Sequence, residues 1–130
     1  MPLYNLACRQ TLPESVRQKV AEAITSSHCE QTGAPAEFVN VVFVDGYPLP
    51  APQSVSVLGG VRTGGNRTPE SIARLKKALQ QSVAKAMDES IDAVGMSLVG
   101  VPSNWIVEGG EIMPEPGSQA EKLMSDKHGL

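Results

Sequence analysis

Aromatic side chains are scarce in this sequence: Phe, Trp and Tyr together make up 4% of its 130 residues. The core must therefore come from Val, Leu, Ile and Ala. Cysteine is nearly absent, with only Cys8 and Cys29. Two thiols build no disulfide framework. Their spacing fits no metal site, so both are expected as buried free thiols. Basic excess is missing too. A formal net charge of −3 leaves nothing to neutralise phosphates, so nucleic acid is not an expected partner. No apolar run approaches the ~20 residues that span a bilayer, so no membrane role is expected. The first residues lack the basic-then-apolar layout of a signal peptide, which makes the cytoplasm the expected location. The glycine-rich "GGVRTGGN" at 59–66 lacks the Lys-Ser/Thr ending of a phosphate loop and the spacing of a dinucleotide fingerprint. Neither a cofactor nor a metal is expected.

What is present is a repeat. "PESVRQKVAEAI" starts at Pro13 and "PESIARLKKALQ" at Pro69, an offset of 56 residues. The same offset lays "FVNVVFVDGYP" (38–48) over "VGMSLVGVPSN" (94–104), and "PLYNLA" (2–7) over "LGGVRT" (58–63). Internal repeats of this kind mark duplicated supersecondary units. Each half reads as strand, helix, strand. Val16, Val20, Ala23, Ile24 and Ser27 recur at three- and four-residue steps in the first helix. Ile72, Leu75, Leu79, Val83, Ala86 and Met87 do so in the second, and such stripes mark amphipathic helices. "TLPE" and "TPES" each offer Thr as an N-cap and Pro in the first turn. Thr11 and Glu14 also have capping-box spacing. Gly33 is expected to close the first helix, and the stretch 88–90 the second.

Two such units predict an α/β fold of one domain, 1–130, as a tandem β-α-β repeat. The units run over about 2–44 and 56–101, and 102–130 is read as a loop followed by a polar tail with a frayed end. Parallel pairing within each unit and right-handed crossovers put both helices on one face of a four-stranded sheet. "FVNVVFV" is nearly all apolar, as in a strand covered on both faces. One sheet face would stay apolar and uncovered by the chain's own helices, so an oligomer packed through it is expected. Three chains around a common axis is the arrangement inferred.

The N-terminus adds chemistry. By position alone, Pro2 in "MPLY" is an ordinary strand start, where proline has no ladder donor to lose. Once Met1 is removed, however, its ring nitrogen becomes a free secondary amine. Four contexts accompany it: "MPLY", "AEAITSSHCEQTG" around His28, "GGNRTPES" around Arg67, and "WIVEGGEIMPEPG" around Glu108. Together they resemble the tautomerase superfamily, and within it the cis-3-chloroacrylic acid dehalogenase branch, over about 2–117. The resemblance implies Pro2 as the catalytic proline and Glu108 as the glutamate that readies water. It implies His28 and Arg67 as ligands of a substrate carboxylate. Arg62 is the candidate for the branch's other arginine, although it stands five residues before Arg67 where the branch spacing is three. Without the resemblance, His28 reads as a solvated histidine near a helix C-terminus, where charge is favoured. The arginines then read as surface ion pairs.

One departure stands out. The branch places a tyrosine eleven residues before that glutamate; here the position is Ser97. Tyr4 and Tyr47 are the only tyrosines, and neither aligns with it. The expected activity is acid–base chemistry by Pro2 on a small unsaturated or enolisable carboxylate. It would take the form of tautomerisation, or of hydration with weak dehalogenation of a halogenated acid. A homotrimer of the tautomerase type is expected. The alternatives are a binding protein that kept the fold without activity, and an enzyme whose proline forms an iminium with a carbonyl.

Overall fold

Both "PES" segments begin helices of equal length. In the computed structural model, which describes residues 2–127, α1 spans Glu14–Thr32 and α2 spans Pro69–Met87, 19 residues each. The expected loss of Met1 and the expected fraying at the end of the tail fall on residues 1 and 128–130, outside the described residues. Strand β1 (Leu3–Cys8) precedes α1, and β2 (Asn40–Val44) follows it. Likewise β3 (Val55–Thr63) precedes α2, and β4 (Val94–Pro102) follows it. A single 3-10 turn leads into each following strand, Ala36–Phe38 in the first half and Ile91–Ala93 in the second.

The four strands form one sheet in the order β2-β1-β3-β4. Pairing is parallel within each unit and antiparallel between β1 and β3 at the centre. Alternation along the strands sends Tyr4, Leu6 and Cys8 of β1 to one face, with Val55, Val57 and Val61 of β3 and Val94 and Met96 of β4. Val20 and Ile24 of α1 and Leu75, Leu79 and Val83 of α2 pack on them. Both helices thus cover the same face. Each fully buried aliphatic side chain here contributes roughly 1.5–3 kcal/mol. The other sheet face carries Leu3, Val42, Val44, Leu58 and Val99, all exposed. Within one chain, then, β2 is covered on one side only.

The caps differ between the halves. Thr68 caps α2, its hydroxyl accepting from the Ser71 amide at 3.1 Å with Pro69 at the first helical position. Gly33 closes α1 through its N–H to the Cys29 carbonyl, and Asp88 closes α2. The Thr11–Glu14 capping box, by contrast, does not form. The N-cap of α1 is Pro13, and no side chain caps it. Thr11 lies two residues upstream of that cap, too early to reach the first helical amides. The Arg17 guanidinium, donating to the Leu12 carbonyl at 2.5 Å, ties down this end instead.

Two further departures lie in the rest of the chain. The segment 102–130 is not merely loop and tail: β5 (Val107–Glu108) and β6 (Glu111–Ile112) make a hairpin, and α3 spans Gln119–Lys127. Cys8 is a buried free thiol as expected, but Cys29 is only half-buried.

Candidate active site

The start of β1 and the end of β3 lie together, because Leu3 pairs with Gly60. The start of β2 joins them, since Leu3 also pairs with Asn40 and the Pro2 carbonyl accepts the Asn40 amide at 3.1 Å. At this end of the sheet Pro2, His28, Ala34, Val61, Arg62 and Arg67 surround a small cavity of about 10 Å³. A larger cavity of about 420 Å³ adjoins it, sharing Ala34, Arg62 and Arg67. Its remaining wall includes Glu108, Glu111 and Glu121, with Phe38, Met113 and Met124 as the apolar part. The five residues singled out from the sequence therefore gather at one place. Pro2 and His28 stand on one side of the two arginines, and Glu108 on the other.

His28 sits in the last turns of α1, one helical turn before Gly33, and is 1% exposed. It is not the solvated helix-end histidine that its position alone suggests. Its Nδ1 lies 2.7 Å from the Tyr4 hydroxyl, and the two rings meet edge to face with centroids 5.7 Å apart. Burial, then the Arg67 and Arg62 charges, push its pKa down to about 4. At neutral pH it is uncharged, so it would serve a carboxylate as a hydrogen-bond donor and not as a cation. Burial raises the Tyr4 phenol well above its usual range, partly offset by Arg67, so Tyr4 keeps its proton.

Tyr4 fits because its cross-strand partner is Gly59. A Cβ at Gly59 would run into the Tyr4 ring, 2.6 Å from Cδ1, and would lie 2.9 Å from Leu98 Cδ2.

The two arginines have different surroundings. Arg62 donates to the Pro114 carbonyl at 2.8 Å and to Glu121 Oε2 at 2.5 Å. Glu121 in turn accepts the Gly117 amide at 2.9 Å through Oε1. Arg62 thereby ties the first turn of α3 to the rim of the larger cavity. Arg67 sits just before the Thr68 cap, where its amide donates to the Gly64 carbonyl at 2.9 Å. Among the described residues its guanidinium holds no hydrogen bond or ion pair. Burial, and then repulsion from Arg62, lower its pKa from the usual value. An anion bound there would relieve both.

Glu108 ends β5 opposite Glu111 of β6, half-buried at the cavity wall. The two-residue connection is Gly109–Gly110, both at positive φ (57° and 81°), which a tight hairpin of this handedness requires. Ser97 is elsewhere. It lies exposed on the open sheet face, in register with Leu58, and lines none of these cavities. Among the described residues no group of three or more His, Cys, Asp or Glu could hold a metal ion.

The sequence held signals for part of what it did not yield. "SQAE" has capping-box spacing, and Ser118 does accept the Glu121 amide at 3.1 Å. "VEGGEI" has the pattern of a two-residue hairpin. The Tyr4–His28 pair spans 24 residues, and no local pattern foretells it.

No family model and no curated protein matches the sequence. Solved structures do resemble the fold. One is N1, a member of the cis-3-chloroacrylic acid dehalogenase family, 23% identical over 98% of this chain and 99% of that one, with a TM-score of 0.80. Another is a fused 4-OT in an asymmetric trimer, 19% identical over 85% and 94%, TM-score 0.72. A third is Pt0534 inactivated by 2-oxo-3-pentynoate, 20% identical over 94% and 98%, TM-score 0.70. The chain thus carries the α/β fold of the tautomerase superfamily. Of these three, the match to N1 covers the largest share of both chains, and the contexts of Pro2, His28, Arg67 and Glu108 resemble the same cis-3-chloroacrylic acid dehalogenase branch.

Proposed function

We propose that the chain is a tautomerase-type enzyme acting on a small unsaturated or enolisable carboxylate, with the Pro2 amine, freed by loss of Met1, as its catalytic acid. The observation that carries this is Arg67. It is a partly buried guanidinium without a partner among the described residues, in a wall common to the cavity of Pro2 and the cavity of Glu108. Burying a cation unpaired is costly, and a carboxylate ligand offsets that cost with charge-assisted hydrogen bonds.

On this reading the carboxylate rests on Arg67 with His28 as a neutral donor, and Arg62 adds its charge from behind the Glu121 pair. In hydration, the water oxygen bonds to the β-carbon while Glu108 takes a water proton. The double-bond pair moves into the carboxylate as an enediolate, which the guanidinium stabilises. Pro2 then delivers its ammonium proton to the α-carbon. Tautomerisation needs only the proton transfers by Pro2. A model α-amine titrates near ~7.7–8.0, so a nearby carboxylate such as Glu108 need raise it only slightly to keep the acid form. With Ser97 in place of the branch's tyrosine, dehalogenation of a cis-3-haloacrylate is weak. The working form is a cytoplasmic homotrimer.

The test uses 2-oxo-3-pentynoate, the compound that inactivates Pt0534, on the purified full chain. The neutral fraction of the Pro2 amine bonds through its lone pair to the alkyne carbon β to the ketone, and its N–H proton ends on the adjacent carbon. The ammonium form that serves as the acid does not add, so labelling quickens as pH rises through the amine's pKa. Mass spectrometry should find Met1 absent and one equivalent of label on the N-terminal peptide. Arg67→Ala should slow the labelling by roughly ten- to hundredfold, the loss of a charged hydrogen bond of about 1.5–3 kcal/mol. Retained Met1, label elsewhere, or an unaffected Arg67→Ala rate overturns the proposal.

A further inference from the structure

Tyr4 has no part in the chemistry so far, yet it is fully buried and touches a site residue. We propose that Tyr4 is the positioning residue of the site: its phenol donates to Nδ1 of His28 and holds the imidazole in the tautomer whose Nε2–H serves the cavity lined by Pro2, Arg62 and Arg67. This deepens the function proposed above and rests on it for the value of that donor, but not for the tautomer itself.

Counting protons leads to this arrangement. A neutral imidazole carries one N–H and a phenol one O–H. Tyr4 is 0% and His28 1% exposed, so no solvent can satisfy a proton left over between them. The hydroxyl makes one hydrogen bond among the described residues, at 2.7 Å to Nδ1. If Nδ1–H donated to the phenol oxygen, the phenol proton would be buried with no acceptor, which forfeits its hydration without return. If the phenol donates to Nδ1, every buried proton in the pair is used. Nitrogen Nε2 then carries the imidazole proton, and no side-chain atom of the described residues bonds to it. Arg62 donates to Pro114 and Glu121, and Arg67 to no side chain. Neither guanidinium therefore calls for a lone pair at Nε2.

The consequence is a division of labour. Held in this tautomer, His28 adds a hydrogen-bond donor to the cavity but no charge and no basic lone pair. It can bind an oxygen of an anionic substrate, and it cannot take a proton from Pro2 or from the substrate at Nε2. Proton traffic is left to Pro2. Gly59 belongs to the same device, since a side chain there would displace the Tyr4 ring.

The tautomer is read directly by NMR of the full-length protein with ¹⁵N-labelled histidine. His128→Gln leaves His28 as the sole histidine. At pH 7 the ring should show a protonated Nε2 and an unprotonated, hydrogen-bonded Nδ1. Tyr4→Phe keeps the ring and its packing. It should move the Nδ1 resonance toward that of an unbonded nitrogen, and raise the 2-oxo-3-pentynoate concentration for half-maximal labelling about three- to tenfold. A protonated Nδ1 in the protein with Tyr4 intact overturns the proposal with no need for the Phe variant to fold. So does a Tyr4→Phe protein in which neither the Nδ1 resonance nor the half-maximal concentration moves. An Nε2–H tautomer in a protein that takes no label at Pro2 supports the Tyr4 assignment while overturning the proposed function.

Discussion

Arg62 and Arg67 stand five residues apart in the chain and meet different fates. One is saturated by Pro114 and Glu121; the other is partly buried beside it without a partner among the described residues. The sequence shows two equivalent cations, because the partners of Arg62 come from residues more than 50 positions away. His28 was legible as a candidate site residue from its context, but its charge state was not. Helix-end position favours a protonated histidine, whereas burial and the two guanidiniums reverse that. The sign follows for stability. A histidine at about 4 when folded and ~6.5 when unfolded contributes stability that is present above pH ~6.5. That contribution is lost as pH falls through about 4, since the unfolded chain binds the proton first. The loss should reach on the order of 3 kcal/mol. Urea midpoints measured from pH 7 to pH 4 should fall more steeply for the natural chain than for His28→Gln. Parallel declines would mean that His28 is already charged in the folded state.

At the scale of elements, the tandem units were legible because the helix starts and the apolar strands repeat at one offset, although the caps do not. The helices start at Glu14 and Pro69, within a residue of the repeat's own phase. The C-terminal hairpin and α3 were harder, for a physical reason. Strands of two residues and a helix of nine have little periodicity to read. They persist through single anchors: the Met113 amide to the Ile106 carbonyl at 2.8 Å, the Asn66 amide to the Pro116 carbonyl at 3.0 Å, and Glu121 on Arg62. The last anchor puts a protein carboxylate on a guanidinium at the cavity wall. Glu121→Gln removes the charge and keeps the size. A partly exposed pair of this kind is worth about 1 kcal/mol or less. Global stability should therefore hardly change, while the Gly117 amide exchanges faster and Arg62 gains freedom to meet an anion. Half-maximal labelling by 2-oxo-3-pentynoate should then need a concentration several-fold lower. An unchanged or higher concentration would show that Glu121 does not compete for Arg62.

For the molecule as a whole, the repeat is structural and not functional. Shifting Pro2 and His28 by the offset of 56 leads to Leu58 and Ala84, an exposed apolar residue and a buried methyl. The second unit therefore carries no copy of Pro2 or His28. What the second unit supplies instead is Arg62 and Arg67 at the candidate site, and surface. Leu58 sits mid-sheet on the open face, in register with Asn5 of β1 on one side and Ser97 of β4 on the other, and Asn5 pairs onward with Val42 of β2. Leu58, Val42, Val44 and Val99 each expose close to half of their surface, and aliphatic side chains so exposed on one open sheet face mark an interaction surface. Copies of the chain packed through it would bury these residues together with Ser97, the position at which the branch has its tyrosine. Light scattering at micromolar concentration should give a mass near three times the 13.8 kDa chain. Leu58→Glu should lower that mass and leave the helices intact by circular dichroism, because Leu58 takes no part in the helix-covered core. A monomeric natural chain, or a Leu58→Glu protein of unchanged mass, would mean that the open face is not where the copies meet.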